Sequence, residues 1–371
     1  MYKPHDAIWP HPVMRHLKRG MENRRNHYIC TKRWTVKKIL LIRFSSIGDI
    51  VLTTPISRTL KKQTGCELHV LTKKKYSQLF FGNPSVSYIH AFEKAPDECM
   101  AVLLKENFDV IIDLQKNFRS LKVRRGLGVI SYSFPKLNVK KWLLVNTRIN
   151  RMPDLHLVDR YFMAVKELGV INDNLGLDFF IPEKEEVNPL EMASSLSNGY
   201  IAMVIGGQHF TKIFPPEKAA ELISRLALPV VLLGGPEDKQ RGNEIIQLCQ
   251  HAKMLNTCGT LSLNQSASLV RQARLVITND TGLMHIAAAF SKPILSIWGN
   301  TVPEFGMYPY MPGKEHLFEI AQVAGLSCRP CSKLGFSKCP KNHFKCMVNQ
   351  DVEWMVEQSA RLLDCSAKFT D

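Results

Sequence analysis

The sequence predicts an α/β protein built from two Rossmann-like domains that face each other across a cleft. Apolar runs of strand length alternate with amphipathic helical segments, a pattern typical of parallel sheets that are covered on both faces. The alternation is interrupted by the proline-containing, charged stretch FIPEKEEVNPLE and then restarts. A chain of 371 residues is long enough for two domains with cores of their own.

In the first half, each element follows from its local pattern. KKILLIRF is a continuous apolar run, and it precedes a turn and a helix in SSIGDIVLTTPISRTLKKQTG that we expect to end at Gly65. The segments CELHVLT, FDVIIDL and GVISYSF are predicted strands with helical segments between them. HLVDRYFMAVKELGV is predicted to form another helix before the interruption.

The second half repeats the alternation. The predicted strands GYIAMVIGG, LPVVLLGG, RLVITN and KPILSIWG separate helices in PPEKAAELISRLA, PEDKQRGNEIIQLCQ, NQSASLVRQA and TGLMHIAAAF, and NQDVEWMVEQSARLLD follows as the last helix. We therefore place a basic extension at 1–35, an N-terminal domain at 36–185, a C-terminal domain at 186–347, and a final helix and tail at 348–371. Parallel sheets bind ligands at the carboxyl ends of their strands, so we expect the site in the cleft between the domains.

The composition is that of a globular protein. Hydrophobic residues make up 45% and charged residues 22% of the chain. No apolar run reaches the roughly 20 residues of a membrane span, and residues 1–36 lack the apolar core of a signal peptide. We expect a cytoplasmic protein that can rest peripherally on the inner face of the cytoplasmic membrane.

The formal net charge of +16 is unevenly placed. Between Leu114 and Arg151 there is no acidic residue, and such a positive field favours phosphates on nucleic acid, on lipid head groups or on a phosphorylated glycan. The alternative is a solvated basic face. We expect Lys122, Arg124 and Arg125 to contact an acceptor. The stretch holds ten basic residues: Lys116, Arg119, Lys122, Arg124, Arg125, Lys136, Lys140, Lys141, Arg148 and Arg151.

Four of the ten cysteines lie close together in CRPCSKLGFSKCPKNHFKC. Cys328 and Cys331 have the C-x2-C spacing of a metal knuckle, but six residues separate Cys339 from Cys346, which matches a zinc ribbon poorly. The open alternatives are a structural metal, with His343 as a substitute ligand, ordinary buried thiols, or a redox-dependent disulfide. We predict no cofactor and no catalytic metal.

The junction RFSSIGDIVLTTP places a carboxylate where a strand passes into a helix. Asp49 follows Gly48, and glycine can take backbone angles that are closed to other residues. Aspartate is a favoured N-cap residue. Asp49 is therefore either a helix cap or a carboxylate held at the sheet edge, facing the cleft.

The junction TNDTGLMHIAAAFSKPILSIWG has the features of an anion site, because a helix N-terminus offers free N–H groups and the positive end of the helix dipole. Thr281 adds a hydroxyl donor, and Gly282 lets a ligand approach the backbone. Asp280 either caps the turn or accepts sugar hydroxyls. His285, one turn further on, is either a satisfied core histidine or a donor to phosphate or sugar.

Two further strand ends carry polar candidates. In VIGGQHFTKIFPPE, Thr211 and Lys212 precede a helix, and the Lys212 ammonium is a point charge suited to a phosphate. In LLGGPEDK, Glu237 follows a glycine pair, where its carboxylate could accept ribose hydroxyls.

ILLIRFSSIGDIVLTTP together with TNDTGLMHIAAAFSKPILSIWG resembles the ADP-heptose:lipopolysaccharide heptosyltransferase family, glycosyltransferase family 9, and the resemblance covers residues 37–365. It implies the glycosyltransferase B architecture and transfer of a heptose, or a related sugar, from an ADP donor to a phosphorylated lipopolysaccharide core or lipid A-linked acceptor. It implies that Asp49 is the general base. It also implies that Lys212 contacts phosphate, that Glu237 contacts the nucleotide, and that the turn at 280–282 cradles the donor.

General chemistry is consistent with this resemblance, since sugar transfer needs a base for the acceptor hydroxyl and charge stabilisation for the departing diphosphate. The sequence contains no D-x-D motif, so we expect inverting, metal-independent transfer in which Lys212 and backbone amides take the place of a metal. The expected partners are an ADP-sugar, the phosphorylated acceptor and an anionic membrane surface.

Two other functions fit parts of the sequence. A nucleotide-sugar epimerase of the same fold would need one substrate and would have little use for the basic stretch. A nucleic-acid-binding protein would use the basic stretch and the cysteine segment, but aromatic residues are sparse between 114 and 151. We therefore expect no nucleic acid partner.

Overall fold

The computed structural model describes residues 36–249 and 253–367. The predicted basic extension at 1–35 lies outside the described residues. The first half contains, in chain order, β1 (Lys38–Ile42), α1 (Ile47–Val51), α2 (Thr54–Thr64), β2 (Glu67–Lys73), β3 (Tyr88–Phe92), α3 (Met100–Lys105), β4 (Val110–Asp113), α4 (Phe118–Leu127), β5 (Ser131–Ser133), α5 (Asn138–Thr147) and α6 (Leu157–Phe162).

The second half contains the remaining elements. They are α7 (Pro189–Met192), β6 (Ile201–Val204), α8 (Pro216–Ile223), β7 (Val230–Leu233), α9 (Lys239–Leu248), β8 (Met254–Asn256), α10 (Leu263–Gln272), β9 (Leu275–Asn279), α11 (Gly282–Ala289), β10 (Ile294–Trp298), β11 (Phe318–Gln322), α12 (Lys345–Val348) and α13 (Val352–Ala367).

Each half has its own parallel sheet. The strand order is β3-β2-β1-β4-β5 in the first and β11-β10-β9-β6-β7-β8 in the second. In β1, the side chains from Ile39 to Ile42 are all fully buried, as expected for a strand with helices on both faces. The predicted α/β class with two Rossmann-like halves is thus confirmed, and so is the predicted end of α2 at Gly65, which has a left-handed φ of 70°.

The structure differs from the prediction where the local signal is weak. The strands β3, β8 and β11 were not predicted, because their side chains are largely half-buried or exposed and give no continuous apolar run. The helix predicted from His156 to Val170 is shorter, since α6 ends at Phe162. Beyond it the backbone hydrogen bonds join residues three apart, as in a 3-10 helix. An example is Ala164 N, which donates to Tyr161 O at 2.9 Å.

One apolar cluster runs through both halves, in addition to clusters that lie within a single half. A single cluster of buried residues includes Ile39 and Ile56 from the first half and Met284 and Trp298 from the second. The predicted linker packs against α10, where Val187 N donates to a serine hydroxyl at 3.0 Å. The proposed domain boundaries stay predictions. Among the described helices, none has both the length and the apolar character needed to cross a membrane.

Candidate functional site

The two polar junctions of the sequence meet between the halves. The N-terminal ends of α1, which follows β1, and α11, which follows β9, pack against each other. A Cβ added to Gly48 would lie 2.5 Å from His285 Cδ2, and one added to Gly282 would lie 2.6 Å from Ile47 Cγ2. Glycine at these two positions lets the helix ends approach this closely.

Asp49 is held by three polar contacts and takes part in a capping box at the start of α1. Ser46 occupies the N-cap position, and Asp49 is the third residue of α1, so the interpretation of Asp49 as the N-cap is wrong. The Ser46 backbone N (3.2 Å) and Oγ (2.9 Å) donate to Asp49 Oδ2. Arg43 Nη2 lies 2.6 Å from Asp49 Oδ1. These contacts fix the carboxylate at the carboxyl edge of the first sheet.

The protonation state of Asp49 follows from these neighbours. Burial alone would raise the pKa of its carboxyl, but the Arg43 charge and the Ser46 donors outweigh burial and lower the pKa below its usual range. Arg43 is in turn fixed by its Nη1, which donates to Leu114 O at 2.5 Å and to Tyr161 Oη at 3.0 Å. Asp49 is therefore ionised at neutral pH.

Arg43 is a site residue that the sequence analysis missed. Its side chain is only 8% exposed. A charged residue directly after a buried apolar strand is costly unless it is paired, and this signal was present in ILLIRF.

The second half contributes a half-buried ion pair next to α11. Lys212 Nζ lies 2.5 Å from Asp280 Oδ2, and Thr301 Oγ1 donates to the same oxygen at 2.9 Å. The side chain of Asp280 is 9% exposed and that of Lys212 is 17% exposed. Asp280 thus holds the Lys212 ammonium at the start of α11, which explains an acidic residue beside this helix N-terminus. Thr301 was not predicted, because it comes after the following strand.

The first turn of α11 keeps its backbone donors. Thr281 is the N-cap and Gly282 the first helical residue. In the structure as described, no side chain caps this helix, and Thr281 Oγ1 instead lies 3.3 Å from Thr278 Oγ1. The N–H groups and the positive dipole end therefore remain for a negatively charged ligand.

The hydrogen bonds of His285 are incomplete among the described residues, so its interpretation as a satisfied core histidine is wrong. His285 is 2% exposed, and its Nδ1 is buried without a hydrogen-bond partner among the described residues. Burial lowers its pKa to about 4, against the opposing effect of the Asp280 and Asp49 carboxylates. The ring is therefore neutral at physiological pH, and it is coupled to carboxylates from both halves.

Thr211 and Glu237 are less directly placed for a donor. Thr211 is 1% exposed, and its hydroxyl accepts from Phe336 N at 2.9 Å, so it holds the cysteine-rich segment. Glu237 is exposed in the turn after β7, and a Cβ on Gly235 would lie 2.5 Å from Glu237 Oε2, so the carboxylate folds back over that glycine. Contact of either residue with a nucleotide-sugar stays a prediction.

The three predicted acceptor residues all lie on α4. Arg124 Nε is 3.2 Å from the fully buried Asp113, and Arg124 Nη1 donates to Ser131 Oγ at 3.3 Å. Lys122 Nζ is 3.9 Å from an exposed aspartate, and Arg125 is exposed. The Arg124 guanidinium is thus partly used inside the first half, and acceptor contact by these residues stays a prediction.

Two other members of the basic stretch lie in the electrostatic field of Asp49. Burial lowers the pKa of Lys141 to about 8, with Arg160 adding to the effect and Asp49 opposing it. Burial also lowers the pKa of Lys136, and Asp49 again opposes the shift. Lys141 Nζ lies 5.8 Å from the ring centre of Phe305 in the second half. Lys136 and Lys141 therefore bring positive charge close to the carboxylate.

The cysteine-rich segment covers the end of β10. Arg329 Nε donates to Gly299 O at 2.7 Å, and its Nη2 donates to Thr301 O at 2.9 Å. Cys328, Cys331, Cys339 and Cys346 are free thiols. The four do not converge as a set of metal ligands within residues 36–249 and 253–367. His343 Nδ1 accepts from a backbone N–H at 3.1 Å, and a structural metal in this segment stays a prediction.

Known proteins are similar to this chain in sequence and in fold. A family model described as glycosyltransferase family 9 (heptosyltransferase) matches residues 100–333. Lipopolysaccharide heptosyltransferase 2 of Salmonella typhimurium is 36% identical over 293 residues, covering 72% of this chain and 84% of that protein. A family 9 glycosyl transferase structure from Veillonella parvula has a TM-score of 0.69 at 21% identity, covering 88% of this chain and 97% of that one.

A second solved structure, the ADP-heptose lipopolysaccharide heptosyltransferase II of Escherichia coli, has a TM-score of 0.65 at 21% identity, covering 88% of this chain and 98% of that one. With two parallel sheets and polar junctions that face each other between them, the protein is a glycosyltransferase of the B architecture. The chain belongs to glycosyltransferase family 9, the heptosyltransferase family.

The close contact between the helix ends can be tested with Gly48→Ala. The position is helical and would tolerate alanine, but the added methyl group would meet the His285 ring. We expect unfolding free energy to fall by about 1 to 3 kcal/mol, as in other overpacked cores, and kcat/KM for sugar transfer to fall as well. Urea unfolding and a transfer assay measure the two effects.

The matched control is the double variant Gly48→Ala/His285→Ala, in which the ring is absent. Because the clash is removed, the two stability changes should be non-additive, with a coupling of roughly 0.5 to 3 kcal/mol. Additive changes would show that the two helix ends do not touch in solution.

Proposed function

We propose that the protein transfers a heptose, or a closely related sugar, from an ADP-activated donor to a hydroxyl group of a phosphorylated lipopolysaccharide core, with inversion and without a metal. The observation that carries this proposal is the contact between the N-terminal ends of α1 and α11, which brings Asp49 and the Lys212–Asp280 pair to opposite sides of His285. The similarity to a lipopolysaccharide heptosyltransferase and to a structure named for ADP-heptose supports the substrate pair.

On the donor side, the diphosphate would lie at the first turn of α11. The backbone N–H groups there and the Lys212 ammonium would stabilise the negative charge that grows on the leaving ADP. Lys212 need not leave Asp280, because an ammonium has three donors. Asp280 then orients the lysine, and the Thr301 hydroxyl donates to the same carboxylate oxygen.

On the acceptor side, Asp49 would take the proton of the attacking hydroxyl. Its lowered pKa keeps it ionised but makes it a weak base. Proton transfer is therefore favoured late, when the new bond to the anomeric carbon has made the hydroxyl more acidic. Attack from the side opposite the departing diphosphate inverts the anomeric centre, which matches a base on one half and a leaving-group site on the other.

A phosphate of the acceptor would be bound by Lys136 and Lys141. The neighbouring Arg160 is 1% exposed, and its Nε and Nη1 have no hydrogen-bond partner within the described residues. A buried guanidinium with unpaired donors is costly and adds to the local positive potential. An anion beside Lys141 would offset this charge, which favours a phosphorylated acceptor.

We also propose that the acceptor arrives from an anionic membrane surface on which α5 rests. Val139 and Trp142 on this helix are 73% and 59% exposed, and Lys140 beside them is exposed. Tryptophan and lysine together suit the interface of a bilayer with negative head groups. The peripheral location on the inner face of the cytoplasmic membrane rests on this helix.

The activity is tested by incubating the full chain with ADP-heptose and purified core oligosaccharide, with a chelator present, and analysing the product by mass spectrometry and NMR. We expect one added heptose with inverted anomeric configuration. In Asp49→Asn, transfer should fall about 10²- to 10⁴-fold, because asparagine cannot accept the proton, while ADP binding is retained. Conversion of the donor without any acceptor would instead indicate an epimerase.

Ser46→Ala is the matched control for Asp49→Asn, because it removes one hydrogen bond to the carboxylate and leaves the base and Arg43 in place. Asn at position 49 leaves Arg43 without its counter-ion, so unfolding free energy should fall by roughly 3 kcal/mol, against about 1 kcal/mol for the serine variant. Near-normal transfer by Asp49→Asn would reject Asp49 as the base and leave His285 as the next candidate.

Acceptor binding should depend on the charge of Lys141. Because its pKa is lowered to about 8, it loses its proton as the pH rises through that value, and the acceptor KM should then increase. Lys141→Arg keeps its charge and should move this rise to higher pH, whereas Lys140→Arg, at an exposed neighbour, should leave the profile unchanged. A pH profile of acceptor KM that is identical in all three proteins would contradict the assignment.

The membrane surface is tested by sedimentation with phosphatidylglycerol vesicles. Val139→Ser/Trp142→Ser should weaken vesicle binding about tenfold or more, because it removes apolar area that would enter the interface. Transfer to a water-soluble core oligosaccharide should be unchanged. Leu190→Ser, at a position that is 55% exposed on the second half, serves as the control. Equal binding by all variants would contradict a membrane contact through α5.

A further inference from the structure

A second cluster, of two histidines and a glutamate, lies at the other edge of the first sheet, at the starts of β1 and β2. These side chains are common metal ligands. His69 is on β2, His90 is on the neighbouring β3, and Glu106 follows α3. One ligand atom from each of the three lies within 4.8 Å of the other two. His69 is fully buried, whereas His90 and Glu106 are half-buried, so the cluster can be reached from solvent.

The hydrogen bonds around His69 prepare one of its nitrogens as a ligand. Its Nε2 lies 2.7 Å from Glu67 Oε1, and its Nδ1 lies 2.8 Å from His90 Nε2. A carboxylate on one ring nitrogen holds the proton there and leaves the other nitrogen with a free lone pair, which is the usual arrangement behind metal-bound histidines. His69 Nδ1 therefore carries a free lone pair that points at His90.

Aromatic rings enclose the pair of histidines. The centroid of the Tyr88 ring is 4.6 Å from that of His69, and the Phe108 ring meets His69 edge-on at 5.1 Å. Phe108 is 6% exposed. These ring contacts restrict the motion of the His69 imidazole, so less side-chain entropy is lost when an ion binds there.

A cation already occupies part of this cluster. Lys38 Nζ lies 2.9 Å from Glu106 Oε2 and 3.4 Å from Glu67 Oε1. The carboxylates thus create a place for positive charge, and the long lysine side chain can turn to solvent, because it is 25% exposed.

We propose that His69 Nδ1, His90 Nε2 and the Glu106 carboxylate bind a divalent transition-metal ion of the zinc type, which displaces the Lys38 ammonium. The step is a ligand exchange without redox chemistry, in which His90 moves its proton from Nε2 to Nδ1. Zn–N bonds of about 2.0–2.1 Å at a tetrahedral angle need the two nitrogens about 3.3 Å apart. From the observed 2.8 Å, the rings must separate slightly, and one imidazole must turn so that both lone pairs point at the ion.

The ion would serve the fold and not the sugar transfer. It would tie β2 and β3 to the end of α3, whereas Asp49 lies beyond the opposite, carboxyl end of β1. Two histidines and one carboxylate form a ligand set that zinc accepts. The second contact of His69, to Glu67, would tune the affinity without touching the metal.

The test uses the full chain, stripped with a chelator and titrated with ZnCl2 alone, with calorimetry and elemental analysis for stoichiometry and thermal unfolding for stability. The wild type should bind zinc at this site and unfold at a higher temperature with it. His90→Ala should lose that equivalent of zinc and the shift in Tm. Glu67→Gln should weaken binding about 10- to 100-fold. Sugar transfer should be unchanged in both variants.

The thiols of the cysteine-rich segment are the competing zinc ligands, and matched variants separate the two sites. Cys331→Ser and His343→Ala should keep the zinc that His90→Ala loses. If the cysteine or His343 variant loses all zinc and His90→Ala retains it, the proposal is overturned. Wild-type protein that binds no zinc at micromolar concentration overturns it as well. If His90→Ala does not fold, the weaker zinc binding expected of Glu67→Gln and the rise in Tm of the wild type with zinc decide the proposal.

Discussion

The contact between the N-terminal ends of α1 and α11 determines the rest of the site. Two helix N-termini carry positive dipole ends, and bringing them together is unfavourable unless negative groups lie nearby. Asp49 in the first turn of α1 and Asp280 just before α11 supply those groups. The two carboxylates that mark the site chemically are therefore also the ones that electrostatics requires at this junction.

Each carboxylate is balanced by a cation from its own half. Asp49 pairs with Arg43, and Asp280 pairs with Lys212. The pairs leave the two halves separately neutral at the contact, so the N-terminus of α11 offers its helix dipole and an oriented ammonium without an excess of negative charge beside them. His285 is neutral and buried between the two ion pairs. Its ring fills the space that the missing side chain of Gly48 leaves.

Local sequence patterns were sufficient for the class of fold and for both polar junctions, because each depends on residues close together in the chain. They were not sufficient for the partners of those residues. The pairing of Lys212 with Asp280 spans 68 positions, and the hydroxyl of Thr211 is used by Phe336, 125 positions away. The edge strands were missed for a related reason, since half-exposed strands of three to five residues carry no strong apolar signal.

The basic stretch shows why counting charges along the chain is a poor guide to where they act. Arg124 is directed toward Asp113, whereas α5 presents two different faces. Lys141 and the buried Leu144 turn toward Phe305 in the second half, and Val139 and Trp142 turn to solvent. A helix with one face near Asp49 and the other suited to a lipid surface links the proposed membrane contact to the proposed acceptor site. An amphiphilic acceptor could then extend from the bilayer to Asp49 along α5, and its lipid part would not need to leave the membrane.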